Sequence, residues 1–551
     1  MKKRVSLLIA ISSAMFCNNI IAQKTTTYSW KNLPKIIQPT FAKDTFNVTK
    51  FGAKPDGITL NTQAINDAII ACNKKGGGVV LVPNGMWLTG PIVLKSNVNL
   101  HIKKAATLLF TEDKNQYPLV EGSYEGKSAA RNQSPISATN QENIAITGQG
   151  IIDGSGDVWR AVNKAQLTES QWKEKIASGG VLKANGLTWY PSEQFMKASV
   201  ENKSMLLKEG VSLQSFVDIK DFLRPNLLVI TKCKKVLLEG VTFQNSPAWC
   251  LHPLMSENLT LRNLTIKNPE YAHNGDGMDI ESCKNFLVDG CTIDVGDDAI
   301  CIKSGKDEEG RKRGMPTENG IIRNCIVYNG HGGFVVGSEM SGGARNIFVY
   351  DCTFAGTDKG LRFKSVRGRG GIVENIYAKN IFMKDIAQEA IFFDMYYFVK
   401  FATDSPRDER PVVNEGTPIF RNMKFENIVC KGANKGIFVR GLSEMPIQNI
   451  QMSNIVLDTK IGAEFTDASN ITLEKVTLIS ENTNPVISVN NSNGLTFNTI
   501  QYKANAALLF AIAGERSKAI QILQTDSSKA QKQIEFTEGA TKEAITATTG
   551  K

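Results

Sequence analysis

Residues 234–354 carry one decapeptide pattern five times: KKVLLEGVTF at 234–243, ENLTLRNLTI at 257–266, KNFLVDGCTI at 284–293, ENGIIRNCIV at 318–327 and RNIFVYDCTF at 345–354. It continues as ENIYAKNIFM at 374–383, RNMKFENIVC at 421–430, QNIQMSNIVL at 448–457, SNITLEKVTL at 469–478 and NGLTFNTIQY at 493–502. Aligned on the apolar residue after the central turn pair, the copies fall at Val241, Leu264, Cys291, Cys325, Cys352, Ile381, Ile428, Ile455, Val476 and Ile500, 21 to 47 residues apart. Short alternating apolar strands at a period of roughly 20 to 30 residues, with no helical period between them, signal stacked coils and exclude a doubly wound sheet. The expected fold is all-β, a right-handed parallel β-helix.

Two ladders fit that reading. Asn258, Asn285, Asn319, Asn346, Asn375, Asn422, Asn449, Asn470 and Asn493 recur just before the strand. A tight turn there needs a side chain that tolerates left-handed backbone angles and hydrogen-bonds locally. Cys291, Cys325 and Cys352 share one inward repeat position and are expected to be reduced core residues.

A chain of 551 residues would ordinarily divide into several domains, but repeats grow by stacking around one core, so one dominant solenoid is expected over 45–523. MKKR followed by VSLLIAISSAMF has the form of an export signal over 1–22, with cleavage after Ala22. The predicted location is therefore periplasmic or secreted. Cys17 sits in a poor lipidation context, and no later stretch has the roughly 18 apolar residues of a membrane span. Cys17 leaves with the leader and nine cysteines remain, an odd number, so no disulfide framework is implied. Removing Lys2, Lys3 and Arg4 from the formal charge of +10 leaves +7, and export makes an anionic polysaccharide a better partner for that surface than nucleic acid. A monomer is expected.

Along the chain, Asn61 is read as the cap of a short helix whose Ile65, Ala68, Ile69 and Cys72 form one face, covering the open end of the stack. The repeat stops over 159–221, where LTESQWKEKIASGG and SEQFMKASVENKSMLLKEG look helical, and this segment is read as an insertion. A second break contains DMYYFVKFATDSPRDERPVV at 394–413, and a charged loop lengthens the coil at 306–318. Loops of this size on a solenoid are commonly walls of a binding cleft. The Ser, Thr, Ala and Lys-rich end at 524–551 is expected to be a partly disordered tail.

The chemistry is concentrated on four consecutive repeats. Asp276, the pair Asp297 and Asp298, His331, and then Arg362 and Lys364 each follow the same repeat strand and precede the next turn. Coils stack at about 4.8 Å, so four rungs present these groups along roughly 14 Å. Glycosidic cleavage needs one carboxylic acid to protonate the leaving oxygen and one carboxylate to activate water or attack carbon. Crowding three carboxylates should raise at least one pKa, while the cations suit a substrate carboxylate. Singly, an Asp-Asp pair or a Gly-His-Gly is more often a solvated turn; their order on one face points to a site. The four histidines, His101, His252, His273 and His331, lack metal-ligand spacing, and neither a metal nor a cofactor is expected.

These signatures resemble glycoside hydrolase family 28, the polygalacturonase family, over 45–523: NGDGMD at 274–279, GDDAICIKSG at 296–305, GHGGFVVGSE at 330–339 and RFK at 362–364. The resemblance implies inverting hydrolysis of α-1,4-linked galacturonate, with Asp297 as general acid, Asp276 and Asp298 activating water, and His331 supporting the acid. It implies Arg362 and Lys364 as binding a galacturonate carboxylate, and Asn274 is a further candidate for substrate contact. The family's Asn-Thr-Asp is here Asn-Gly-Asp, and its Arg-Ile-Lys is Arg-Phe-Lys, whose middle side chain should point inward.

NSPAWCLHP at 245–253 and LRPNLLVI at 223–230 resemble the bacterial exo-acting branch, and the 159–221 insertion would wall off one end of the cleft. His252, Lys303, Tyr396 and Tyr397 are further candidates for substrate contact on the same face. Three rivals remain: a galacturonohydrolase acting on rhamnogalacturonan or another decorated pectin, a calcium-dependent pectate lyase, for which the Asp triad with His is wrong, and a non-catalytic β-helix binding or adhesion protein.

Overall fold

The computed structural model describes residues 28–399 and 410–549. The leader read over 1–22 and Cys17 lie outside the described residues. Met1–Leu33 forms a unit of its own, in whose described part Ser29 and Asn32 make one antiparallel bridge. From Pro34 onward the chain is a right-handed parallel β-helix. Its main sheet runs in three ladders, and every pairing between its named strands is parallel. One ladder stacks Ile144, Val236, Leu259 and Phe286; a second stacks Ile152, Phe243, Ile266, Ile293 and Val327. All are buried, because period-two alternation sends every second side chain inward on each rung. After residue 372 the turns straighten and single strands, Ile372–Asp394 and Ile419–Arg440, run through what had been separate short strands.

The third ladder carries the site. Its strands are β1 (Leu251–Leu254), β2 (Met278–Glu281), β3 (Asp298–Lys303), β4 (Gly332–Val336), β5 (Leu361–Lys364) and the end of β6 (Ile372–Asp394). Leu251, Met278, Ile300, Phe334, Leu361 and Ile391 stand in register and are buried. The middle residue of Arg-Phe-Lys does point inward: Phe363 is buried and stacks on Phe393 at 4.4 Å between ring centroids.

The asparagine turns are left-handed, with φ of 57° at Asn285, 60° at Asn319 and 57° at Asn346. Asn319 and Asn346 donate from Nδ2 to the Oδ1 one rung before, to Asn285 and Asn319 respectively, each at 3.1 Å. The ladder's last member differs from expectation: Gly494, not Asn493, has the positive φ of 69°, and a Cβ there would meet Asn470 Oδ1 at 2.5 Å. The strands pair Thr472 with Thr496, so the glycine lies on the rung below Asn470. All nine described cysteines are free and buried.

Helix α1 (Thr62–Lys74) buries Ile65, Ala68, Ile69 and Cys72 against the core. Asn61 stands at its N-cap position, but the side chain accepts from Lys54 N at 2.7 Å and donates to Leu88 O, pinning a loop instead. The segment 159–221 holds helices α2 (Glu169–Ala177) and α3 (Glu193–Val200) and also a three-stranded antiparallel sheet around buried Trp172 and Trp189. Strands of two or three residues are too short to leave a period in the sequence. The described residues 524–549 are not the tail expected from composition: Ala530–Thr537 and Ile545–Thr549 pair in parallel with the preceding rungs. Ile534, Phe536 and Ile545 pack on the core, and three apolar residues suffice where a finished rung already offers hydrogen bonds. Among the described residues no helix is long and apolar enough to cross a membrane.

Candidate active site

Asp276 lies two residues before Met278 and Asp298 two before Ile300, and those two are register partners, so the carboxylates sit on neighbouring rungs of one face. Side-chain oxygens of Asp276, Asp297 and Asp298 lie within 4.8 Å of one another. Asp298 is held hardest: Arg362 donates to Oδ1 at 2.8 Å and Lys364 to Oδ2 at 2.7 Å. Both cations come from β5, two rungs away, and the rung between contributes Gly332. A Cβ at Gly332 would lie 2.5 Å from Val335 Cγ2 and 3.3 Å from Arg362 Cδ, so the glycine keeps the path of the guanidinium open. Three carboxylates are also the makings of a cation site, but both oxygens of Asp298 are already taken by cations, and the donor set suits acid–base chemistry better.

The carboxyls are driven apart in acidity. Burial would raise Asp298, but Lys364 and Arg362 outweigh it and keep the group well below the usual carboxylate range. Burial would likewise raise Asp297; its hydrogen bond with His331 overcomes this and holds it low. Asp276, 3% exposed and with Oδ1 unpartnered, is pushed well up by burial and then by Asp279 and Asp297. The raised member of the three is therefore Asp276. His331 is half exposed, with Nδ1 3.1 Å from Asp297 Oδ1 and Nε2 3.8 Å from Asp358 Oδ2, and the bond to Asp297 raises its pKa.

Two expected contacts are displaced inward. His252 is 1% exposed, bonded at Nδ1 to Asn226 and at Nε2 to Glu281 at 2.9 Å, so both nitrogens are used and no face is left for a sugar. Lys303 is buried in a structural role, 3.0 Å from Glu339 and 3.5 Å from Asp279. The second distance is an ion-pair contact rather than a hydrogen bond. Burial pushes Asp279 up to about 8 despite that cation. His252 and Lys303 both lie inward because neighbouring residues close over a face that alternation alone would leave outward. Tyr397 lies over the Arg362 and Lys364 cations, at 5.7 and 4.9 Å from ring centroid, whereas Tyr396 turns to Arg367 and Arg440. Asn274 takes φ of 55° and accepts from Arg224 at 2.8 Å.

The sequence reading missed the end wall. Leu119–Tyr124 and Lys127–Asn132 form an antiparallel hairpin that, with Phe195, Ser199 and Asn202 of the insertion, bounds a cavity of about 260 Å³ reaching Arg131, Arg224, His273 and Asn274. The hairpin's signal was present: Glu125-Gly126, both at positive φ, is a two-residue turn between equal runs.

A family model described as "Glycosyl hydrolases family 28" matches residues 218–478, and one described as "Rhamnogalacturonase A/epimerase, pectate lyase-like" matches residues 45–166. A probable polygalacturonase of Vitis vinifera is 28% identical over 421 residues, 75% of this chain and 74% of that one. An exo-poly-alpha-D-galacturonosidase of Dickeya chrysanthemi is 29% identical over 384 residues, 68% of this chain and 59% of that one. Among solved structures, a hyperthermoactive exopolygalacturonase of Thermotoga maritima superposes with a TM-score of 0.66 at 32% identity, covering 80% of this chain and 93% of that one.

Proposed function

The chain belongs to glycosyl hydrolase family 28, and from that premise we propose that it hydrolyses α-1,4-linked galacturonan from a chain end, releasing galacturonate with inversion. The observation that carries the exo reading is the wall that the hairpin and the insertion raise around a cavity reaching Asn274, two residues from Asp276: a chain entering from the Arg362 side meets that wall at the other end. A volume of about 260 Å³ suits a terminal sugar and not a continuing polymer. Export, expected from the leader read over 1–22, is part of this proposal.

In this mechanism Asp297 and His331 share one proton. The hydrogen bond to Asp297 raises His331, so the pair holds its proton to higher pH than a free imidazole does, and Asp297 passes the proton to the glycosidic oxygen as that bond breaks. Asp298, kept anionic by Lys364 and Arg362, takes a proton from the water whose oxygen bonds to the anomeric carbon. Asp276 shares that water through its unpartnered Oδ1. Asn274, Arg362, Lys364 and Tyr397 border the substrate.

One oxygen from each of the three carboxylates lies within 4.8 Å of the others, closer than the about 6.5–9.5 Å typical of inverting pairs, so inversion rests on family membership alone. Proton NMR of the first-formed anomer tests it: an α product would refute inversion. For the main reading, products from polygalacturonate are followed over time beside Asp297→Asn. Free galacturonate from the first time point, lost in the variant, is expected; an early ladder of oligomers would end the exo assignment. The match of residues 45–166 to a rhamnogalacturonase-type model favours one second reading, for which rhamnogalacturonan fragments belong in the same assay.

A further inference from the structure

We propose that Arg131 and Arg224 form a carboxylate-binding pocket at the end of the cleft walled by the hairpin and the insertion, which captures the terminal uronate and excludes chain ends that lack a free carboxylate. The proposal rests on the exo reading and says what the walled end recognises.

The argument begins with charge accounting. The cations facing the carboxylate cluster are spoken for: Arg362 and Lys364 bind Asp298, and Lys303 binds Glu339. Arg131 and Arg224 are not. Among the described residues neither has a carboxylate within ion-pair distance, although Arg131 is only 7% exposed. Arg131 touches Asn226 Oδ1 at 3.4 Å, Met205 Sδ at 3.6 Å and the face of Tyr124. Arg224 donates to Pro247 O at 3.1 Å, His273 O at 2.8 Å and Asn274 Oδ1 at 2.8 Å, three of a guanidinium's five donors. Glu125, the acid in the cavity wall, is already bound to Lys306 at 2.8 Å.

Two such guanidiniums sharing one cavity are costly without an anion. Burial pushes both down to about 10; the charge of Arg224 adds to that push at Arg131, while Glu125 at Arg131 and Asp276 and Asp297 at Arg224 oppose it from beyond ion-pair distance. The neutral contacts of Arg224 fix its plane, so its remaining donors are aimed before any ligand arrives, the condition under which a planar fork binds a carboxylate well. The link through Asn274 ties this anion site to the loop of Asp276. A galacturonate carboxylate held here would set its sugar beside the cluster. Galactose, or a methyl-esterified terminal unit, would leave the two cations unpaired.

Calorimetric titration of galacturonate, its methyl ester and galactose into the unmodified chain tests the preference without any variant. Galacturonate should bind roughly tenfold or more tightly than the two neutral sugars, the size expected of charge-assisted hydrogen bonds. Arg131→Gln and Arg224→Gln should each lose that preference, and Arg224→Lys, which keeps charge but not the fork, should recover part of it; thermal melting of each variant separates lost binding from lost folding. Equal binding of the three sugars would overturn the proposal. So would a preference that survives both substitutions and disappears in Arg362→Gln, which would move the carboxylate to the other side of the cluster. Failure of the exo reading shows separately, as oligomers in the product assay.

Discussion

At the scale of residues, the site divides labour among groups of one chemical kind. Asp298 has two cations and stays anionic, Asp297 shares a proton with His331, and Asp276 is left to burial. Asp298→Asn should lower kcat by about 100- to 10,000-fold, the usual worth of a positioned base, and thermal melting must accompany the assay because the substitution also leaves Arg362 and Lys364 without their partner. A smaller loss with an intact fold would remove Asp298 from the proton transfer. The His331 pKa is raised, so the proton it shares with Asp297 is present below that value and is lost as pH rises through it. The alkaline limb of kcat/KM should therefore lie above the ordinary imidazole value of about 6.5 and should move in His331→Gln; an unmoved limb would assign it to another group. Gly332→Ala places a methyl against Val335 and Arg362 and should reduce kcat/KM at least tenfold by shifting the guanidinium off Asp298, an outcome read directly from steady-state kinetics. Full activity in that variant would mean the path of Arg362 is not constrained as its geometry indicates.

At the scale of elements, the asparagine turns set where each coil bends. Asn346 accepts from Asn375 and donates to Asn319 while holding φ at 57°. Replacing it with Gly removes the two hydrogen bonds, each worth about 1 kcal/mol net. Replacing it with Ala removes the same bonds and adds about 1–2 kcal/mol of left-handed strain. Denaturant midpoints should thus fall in the order Asn, Gly, Ala; Ala equal to Gly would show that the ladder's bonds, and not its backbone angle, select asparagine. These turns were legible because their cause is local: a left-handed residue before an alternating strand leaves the same mark at every rung. Gly494 departs by one position for the same local reason, since glycine is even freer at that angle than asparagine.

At the scale of the whole molecule, one continuous core runs from Val48 to Ala544 and takes in eight of the cysteines beside neighbours on adjacent rungs. Thiol reagent should find none of them in the folded protein and nine after denaturation of the processed chain. A tenth would mean that Cys17 is retained and the leader not removed; fast reaction in the folded state would contradict the burial of the cysteines. The amino-acid sequence by itself determined the fold, the order of rungs, and the alignment of Asp276, Asp297, Asp298, His331, Arg362 and Lys364 on one face, because period and alternation are properties of neighbouring residues. Only the tertiary structure decided what closes over that face. His252 and Lys303 sit on the expected ladder but are sealed by Glu281 and Glu339. The wall of the cleft joins residues far apart in the chain, as in Lys306 with Glu125 and Ser128 with Glu309. The meeting of Arg131 and Arg224 in one cavity arises the same way, from a hairpin folding back onto the segment that follows the insertion. Such contacts depend on where long loops land in space, and no repeat in the sequence records that.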